Sequence, residues 1–291
     1  MTDRGRAVQH ALTTALKIRQ KAKIPLTDAL CIYDFAESNG IAEVRFTDIP
    51  SLEEFYWKDA RIIVVSSLRP AGRQAYNCAH GFGHHVFGHG TCIAGVPTDE
   101  TGARKFDPNE FLVDCFAGFL MMPSSTVSHG FTARGWQPKN CTPMQVFIVA
   151  GWLGVGYATL VQHLRDVLKF ITRAHAETLF KAKPKQLRAQ LMGRETTENV
   201  VVVDSHWTGR PVDIEVGDLI LLPPGMTFRG ECLELVEERT DGTVLRGVAP
   251  GANGQLACAE NGWGAFVRVS RRSYIGRNRF RHLEDPDHVS D

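Results

Sequence analysis

Cysteine is scarce and unpaired in this chain. Its seven cysteines (31, 78, 92, 115, 141, 232, 258) form an odd, scattered set with no C-x-x-C pair. That argues against a disulfide framework and for a reducing, cytoplasmic setting. A surplus of one charge is also lacking: 33 Lys and Arg against 32 Asp and Glu leave +1 over 291 residues. Any affinity for nucleic acid must then come from a local patch rather than from the whole chain. No apolar run approaches the roughly 18–20 residues that span a bilayer, so no membrane partner is expected. The basic stretch Met1–Lys23 has no apolar core followed by a small-residue cleavage site, and reads as an ordinary first helix rather than a signal peptide. There is no internal repeat and no low-complexity tract.

What is present is an ordinary globular composition, 43% hydrophobic and 22% charged, in a chain long enough for two cores. The pattern predicts helices over 3–22 and 28–39, strands over 42–48 and 61–66, and a helix over 73–89 that Gly90 ends. Residues 90–106 read as a loop. Asp107-Pro108-Asn109-Glu110 is a helix start, with Asp as N-cap and Pro at the first helical position, for a helix that Pro123 stops. Helices over 142–153 and 157–171, joined at Gly154-Val155-Gly156, look like a helix-turn-helix, and 174–192 is helical and basic. From about 198 the text turns strand-like, at 200–203, 218–222, 231–238, 243–248 and 265–270. The expected fold class is therefore α+β: a mostly helical domain with a small sheet (1–195), then a β-rich domain (196–291), a small barrel or sandwich.

The chemistry concentrates in Cys78-Ala79-His80-Gly81-Phe82-Gly83-His84-His85-Val86-Phe87-Gly88-His89. His80 and His84, four apart, share one face of a helix and can present two imidazoles to one tetrahedral zinc. His85 and His89 repeat the spacing, but point about 140° away at 100° per residue, so one ion would not recruit both pairs. In the H-E-x-x-H form of the motif, the residue after the first His is the Glu that takes a proton from the attacking water. Here that residue is Gly81. A third His ten residues past His80 would fall on Gly90, so the metzincin pattern is absent.

Arg73-Gln74-Ala75-Tyr76-Asn77-Cys78-Ala79-His80, followed by Glu110-Phe111-Leu112-Val113-Asp114-Cys115-Phe116-Ala117-Gly118-Phe119-Leu120-Met121-Met122-Pro123, resembles the ImmA/IrrE family of zinc metallopeptidases. That family's motif helix runs R-x-x-x-x-x-A-H-E-L-G-H, and its second helix E-x-x-A-N-x-F-A-x-x-L-L-M-P. The match covers roughly residues 25–170 and implies a zincin-like, zinc-dependent domain. By the resemblance, His80 and His84 are zinc ligands and Glu110 the third, leaving a fourth position open as catalytic zinc requires. Asp114 takes the family's Asn position, as an outer partner of a ligand His or a substitute ligand. Glu110 also has a plainer role, completing the helix start at Asp107.

The departure is Gly81. Three explanations compete: an introduced Glu→Gly change, a non-catalytic relative, or another carboxylate standing in, for which Asp99 and Glu100 are the candidates by sequence. Gly81 and Gly83 each cost a helix about 1 kcal/mol against Ala, and Gly81 has no structural purpose visible in the sequence, which favours a lost Glu. Cys92, eight residues past His84, is either a half-buried free thiol or a latent fourth ligand.

Toward the C-terminus, Arg268, Arg271, Arg272, Arg277, Arg279 and Arg281 are interleaved with Tyr274 and Phe280. Arginines for phosphates and aromatic faces for bases suit single-stranded DNA, a possible activator, although the same stretch also suits a solvated β-edge. The resemblance implies a regulatory peptidase that cuts a helix-turn-helix repressor to release stress, DNA-damage or phage-defence genes. With Gly81 in place, the expectation is zinc binding with little or no turnover. The alternative is a non-catalytic zinc-binding sensor that binds DNA or a ligand through its C-terminal domain.

Overall fold

In the computed structural model, which describes residues 3–95 and 106–283, the chain divides into two compact units. The first holds Met1–Val127 with Leu153–Gly156 and Ile275–Asn278; the second holds Ser128–Trp152, Tyr157–Tyr274 and Arg279–Asp291. The division does not fall at residue 195. The helices from Ser128 onward cluster with the β-rich region, and a short C-terminal segment returns to the first unit.

The first unit opens with α1 (Asp3–Lys21) and α2 (Ile32–Ser38), then β1 (Glu43–Thr47), β2 (Leu52–Trp57), β3 (Ile62–Ser66), α3 (Ala71–Val86), β4 (Cys92–Gly95) and α4 (Pro108–Met121). Val44 and Phe46 of β1 turn inward and Arg45 outward, the period of a half-buried strand. β1 pairs parallel to β3, β3 antiparallel to β2, and β2 antiparallel to β4. The strand β4 lies where a loop was expected. β2 escapes the periodicity, because Glu53-Glu54 interrupts its apolar pattern and a register shift between Leu52 and Glu54 breaks its alternation. That shift leaves both glutamates buried, one residue apart. Bulges re-aim side chains in this way, often beside active sites.

α3 packs on β2 and β3 and against α4. Its approach to α4 is set at Gly83, where a Cβ would stand 3.0 Å from Val113 Cβ and 3.1 Å from Phe116 Cδ1. α4 starts as its sequence demands: the Asp107 side chain accepts from Asn109 N at 2.8 Å and Glu110 N at 3.4 Å. Beneath it, the buried Arg19 of α1 donates to the carbonyls of Leu120 (3.0 Å), Pro25 (3.1 Å) and Asp28. Burial draws its guanidinium down to about 10, with Asp28 working the other way. The stretch Pro108–Thr132 is apolar and long enough to cross a membrane, but it is mostly buried, as in a core helix.

In the second unit, α6 (Pro143–Leu153) follows α5 (Ser124–Thr132), which begins in the first. The second helix of the expected helix-turn-helix is shorter than its pattern: α7 (Tyr157–Gln162) passes into a π-turn at His163–Val167. Arg165 there is held by Asp166 at 2.6 Å. The basic stretch 174–192 is two helices, α8 (Arg173–Lys181) and α9 (Pro184–Met192), because Pro184 cannot continue the first.

Two four-stranded sheets follow. One has the order β5 (Val200–Val202), β7 (Leu219–Leu222), β10 (Gly242–Gly247), β9 (Leu233–Arg239). The other runs β6 (Val212–Glu215), β12 (Trp263–Ser270), β11 (Gly251–Cys258), β8 (Met226–Arg229). Met192, Val200, Leu219 and Val244 form one apolar cluster of this unit. A helical unit with a small sheet and a β-rich region make the class α+β. β13 (Gly276–Arg277) pairs with β1 in the first unit, where Asn278 donates to Asp34 at 3.2 Å and Glu37 at 3.1 Å.

Candidate metal centre

The site lies within the first unit. The Nε2 atom of His80 is 3.3 Å from Glu110 Oε2 and that of His84 is 3.5 Å from Glu110 Oε1. Both imidazoles of α3 therefore converge on one carboxylate of α4. The Gly83 contact makes this possible, since it lets the two helices approach closely enough for Glu110 to face the pair. Asp114, one turn on, brings Oδ1 to 3.5 Å from His80 Nε2. Two imidazole nitrogens and a carboxylate are the donor set of catalytic zinc.

The outer nitrogens are also engaged. His80 Nδ1 is 3.2 Å from Glu54 Oε1, and His84 Nδ1 is 3.1 Å from His89 Nδ1. With each Nε2 kept as a lone pair, the Nδ1–H of His80 donates to Glu54 and that of His84 to His89. Such outer hydrogen bonds fix tautomer and ring orientation in metal sites. His89 reaches its place because α3 ends at Val86, three residues sooner than expected. Gly88 takes φ +69°, its N–H bonds to His85 O at 3.1 Å, and the His89 N–H bonds to His84 O at 3.0 Å. This Schellman closure folds His89 back over the last turn. The second histidine pair is thereby broken up. His85 instead meets Tyr56, whose hydroxyl is 3.0 Å from its Nδ1.

Electrostatically the site is rich in carboxylate. Burial lowers the proton affinity of His80, but Glu110, Glu54 and Asp114 outweigh it and raise the group overall. His84 goes the other way, pushed down by burial and then by charge on His80. Burial also raises the Glu54 carboxyl, against the pull of His80.

A peptidase family model described as the IrrE N-terminal-like domain matches residues 39–137. That segment is similar to the IrrE N-terminal-like domain of a peptidase family. No curated protein matches the chain. The IrrE-like segment contains both motif helices and all the residues just placed around the histidine pair.

Of the residues singled out in the sequence, the structure brings His80, His84, Glu110 and Asp114 together. Cys92 sits on strand β4, half-buried and opposite Tyr56, with burial pushing its thiol up to about 12. Asp99 and Glu100 lie outside the described residues. The arginine set is divided between the two units. Arg268 donates to Asp213 at 2.6 and 2.8 Å, Arg281 is buried, and Arg277 pairs with Glu43 at 3.1 Å in the first unit. Arg271, Arg272 and Arg279 are exposed, as is Phe280, over whose ring Arg279 lies at 4.6 Å; Tyr274 is half-buried.

The residue that sequence reasoning missed is Glu54. Its carboxylate is 2% exposed, and it groups with His80 and His84, one possible ligand atom from each lying within 4.8 Å of the others. Its neighbour Glu53 is otherwise occupied, bound by Arg73 at 2.8 and 3.0 Å and by Asn77 at 3.0 Å. A pair of acids between Leu52 and Phe55-Tyr56 is the signal that was available: charge set into an apolar strand just ahead of the motif helix. For the metal's third ligand Glu54 and Glu110 compete. Glu110 stands on the Nε2 side of both rings, whereas Glu54 holds His80 by Nδ1, so Glu110 is the better placed.

Proposed function

We propose that this chain is a zinc-dependent endopeptidase whose metal is held by His80 Nε2, His84 Nε2 and Glu110. The observation that carries the reading is the convergence of both Nε2 atoms on the Glu110 carboxylate. Bound there, zinc would polarise the scissile carbonyl and make the attacking water more acidic. The chain's own residues hold that arrangement: Glu54 accepts from His80 Nδ1, His89 accepts from His84 Nδ1, and the close α3–α4 contact at Gly83 keeps Glu110 in reach.

The substrate we propose is a helix-turn-helix repressor, on the strength of the ImmA/IrrE resemblance, and the biological output is release of stress or defence genes. Incubating the zinc-loaded chain with candidate helix-turn-helix repressors, and reading fragments by mass spectrometry, tests this. A single cut abolished by His84→Ala supports the reading; an intact repressor that stays bound favours the non-catalytic sensor. Activation by single-stranded DNA would rest on Arg271, Arg272, Arg279 and Phe280, since Arg268 and Arg281 serve the interior of the second unit.

A further inference from the structure

We propose that Glu54 of β2 is the proton-handling carboxylate of this site, replacing the glutamate that the motif helix lacks at Gly81. The proposal rests on the metallopeptidase reading above and goes beyond it by making the chain, as written, competent.

Shape is the first argument. A Cβ built on Gly81 would stand 3.2 Å from Glu54 Oε1, 3.4 Å from Glu54 Cδ and 3.1 Å from Ile63 Cγ2. The Glu54 carboxyl thus occupies the space into which a side chain at 81 would grow, at a distance comparable with the reach of a glutamate from its own Cβ. Gly81 then has a purpose that the sequence hides: it is the vacancy Glu54 fills. Relocating the carboxylate from helix to strand also accounts for a glycine that otherwise weakens the helix.

Placement is the second. Glu54 Oε1 lies 3.2 Å from His80 Nδ1, and a Glu54 oxygen is within 4.8 Å of a nitrogen of His84 as well. The β-bulge between Leu52 and Glu54 is what delivers it, turning two consecutive acids to the same side: Glu53 to Arg73 and Asn77, Glu54 to the histidines.

Cost is the third. Among the described residues, Glu54 forms its ion pair with His80 and none with an Arg or Lys. A buried carboxylate without a fixed cation is expensive for stability, and such groups cluster at functional sites.

In the reaction, Glu54 accepts a proton from water as the water oxygen bonds to the scissile carbonyl carbon. It gives that proton to the amine nitrogen as the C–N bond breaks, and ends as the carboxylate it began. The sum is one water consumed, one carboxylic acid and one amine formed.

Acetohydroxamic acid, which gives up a proton when it chelates zinc, probes the acceptor without a peptide substrate. Its binding to the zinc-loaded full-length chain is measured by calorimetry for the wild type, Glu54→Gln, and the double variant Glu54→Ala with Gly81→Glu. Zinc affinity is read in parallel by competition with a chromogenic chelator. The expected result is zinc still bound by Glu54→Gln, whose amide oxygen goes on accepting from His80 Nδ1, hydroxamate binding weakened by about tenfold or more, as for one lost charge-assisted hydrogen bond, and recovery in the double variant. Equal hydroxamate binding by wild type and Glu54→Gln, both zinc-loaded, overturns the role of Glu54 alone. A wild-type chain that takes up no zinc overturns the metallopeptidase reading beneath it. Thermal melting of the metal-free variants gives an independent readout: Gly81→Glu alone lowers Tm, and adding Glu54→Ala raises it again. Two additive shifts would contradict the shared space.

Discussion

The Oε1 atom of Glu54 lies 3.2 Å from the point where a Cβ on Gly81 would stand, so the two positions share one volume. A strand residue and a helix residue are thereby coupled, and the substitution that makes the motif look defective becomes the condition for the strand acid to be there.

A methyl group is enough to test this coupling. Gly81→Ala adds about 1 kcal/mol of helix propensity, but crowds Ile63 and Glu54 in a fully packed interior, where excess volume costs about 1–3 kcal/mol. The expected outcome is a net loss near 1 kcal/mol in urea unfolding. In a Glu54→Ala background the same change becomes stabilising, and the cycle between the two reports their interaction.

Gly83 is held more rigidly, because its neighbours are Val113 and Phe116 of α4 rather than the end of a flexible acid. Gly83→Ala is expected to destabilise by about 2 kcal/mol. Since Glu110 rides on α4, zinc affinity falls with it, which chelator competition detects.

Gly88 has open space around the missing Cβ but a φ of +69°. Gly88→Ala is therefore a pure backbone test, costing about 1 kcal/mol. It also loosens the return of His89 onto His84. Loss of an outer partner lowers metal affinity about 10- to 100-fold, so His89→Ala, with the backbone untouched, is expected to weaken zinc while sparing Tm.

In the second unit, burial would raise the Asp213 carboxyl, but its bonds to Arg268 and the charges of Arg210 and Arg281 outweigh that and bring it down to about 2. A depressed carboxyl contributes stability that is present above its unfolded pKa near 4 and is lost as pH falls toward 2. The shift corresponds to about 2 kcal/mol. Arg268→Ala is expected to lose about that much, because it removes both close bonds to a buried carboxylate and leaves the more distant Arg210 and His282. Its acid unfolding midpoint should move upward, with no effect on zinc content.

Much of this was legible in the chain. The His80–His84 pair and the N-cap Asp107 are local patterns, each set by a helix and its spacing, and Glu110 was singled out by the family resemblance. Three things were hidden because they depend on pairing between distant segments. The strand β2 was masked by Glu53-Glu54, whose burial comes from a bulge that only the partner strand defines. The end of α3 was placed late because Gly88, rather than Gly90, takes the left-handed conformation. The arginine patch read as one surface because sequence proximity conceals that Arg268 and Arg281 point to Asp213 and its surroundings while Arg277 joins β1.

The most direct measurement is zinc content after exhaustive dialysis, by mass spectrometry, for the wild-type chain, His84→Ala, Glu110→Ala and Glu54→Gln. The account expects about one zinc per chain in the wild type and in Glu54→Gln, and none in His84→Ala or Glu110→Ala. Zinc retained by Glu110→Ala but lost from Glu54→Gln would contradict it, moving the third ligand from helix α4 to strand β2.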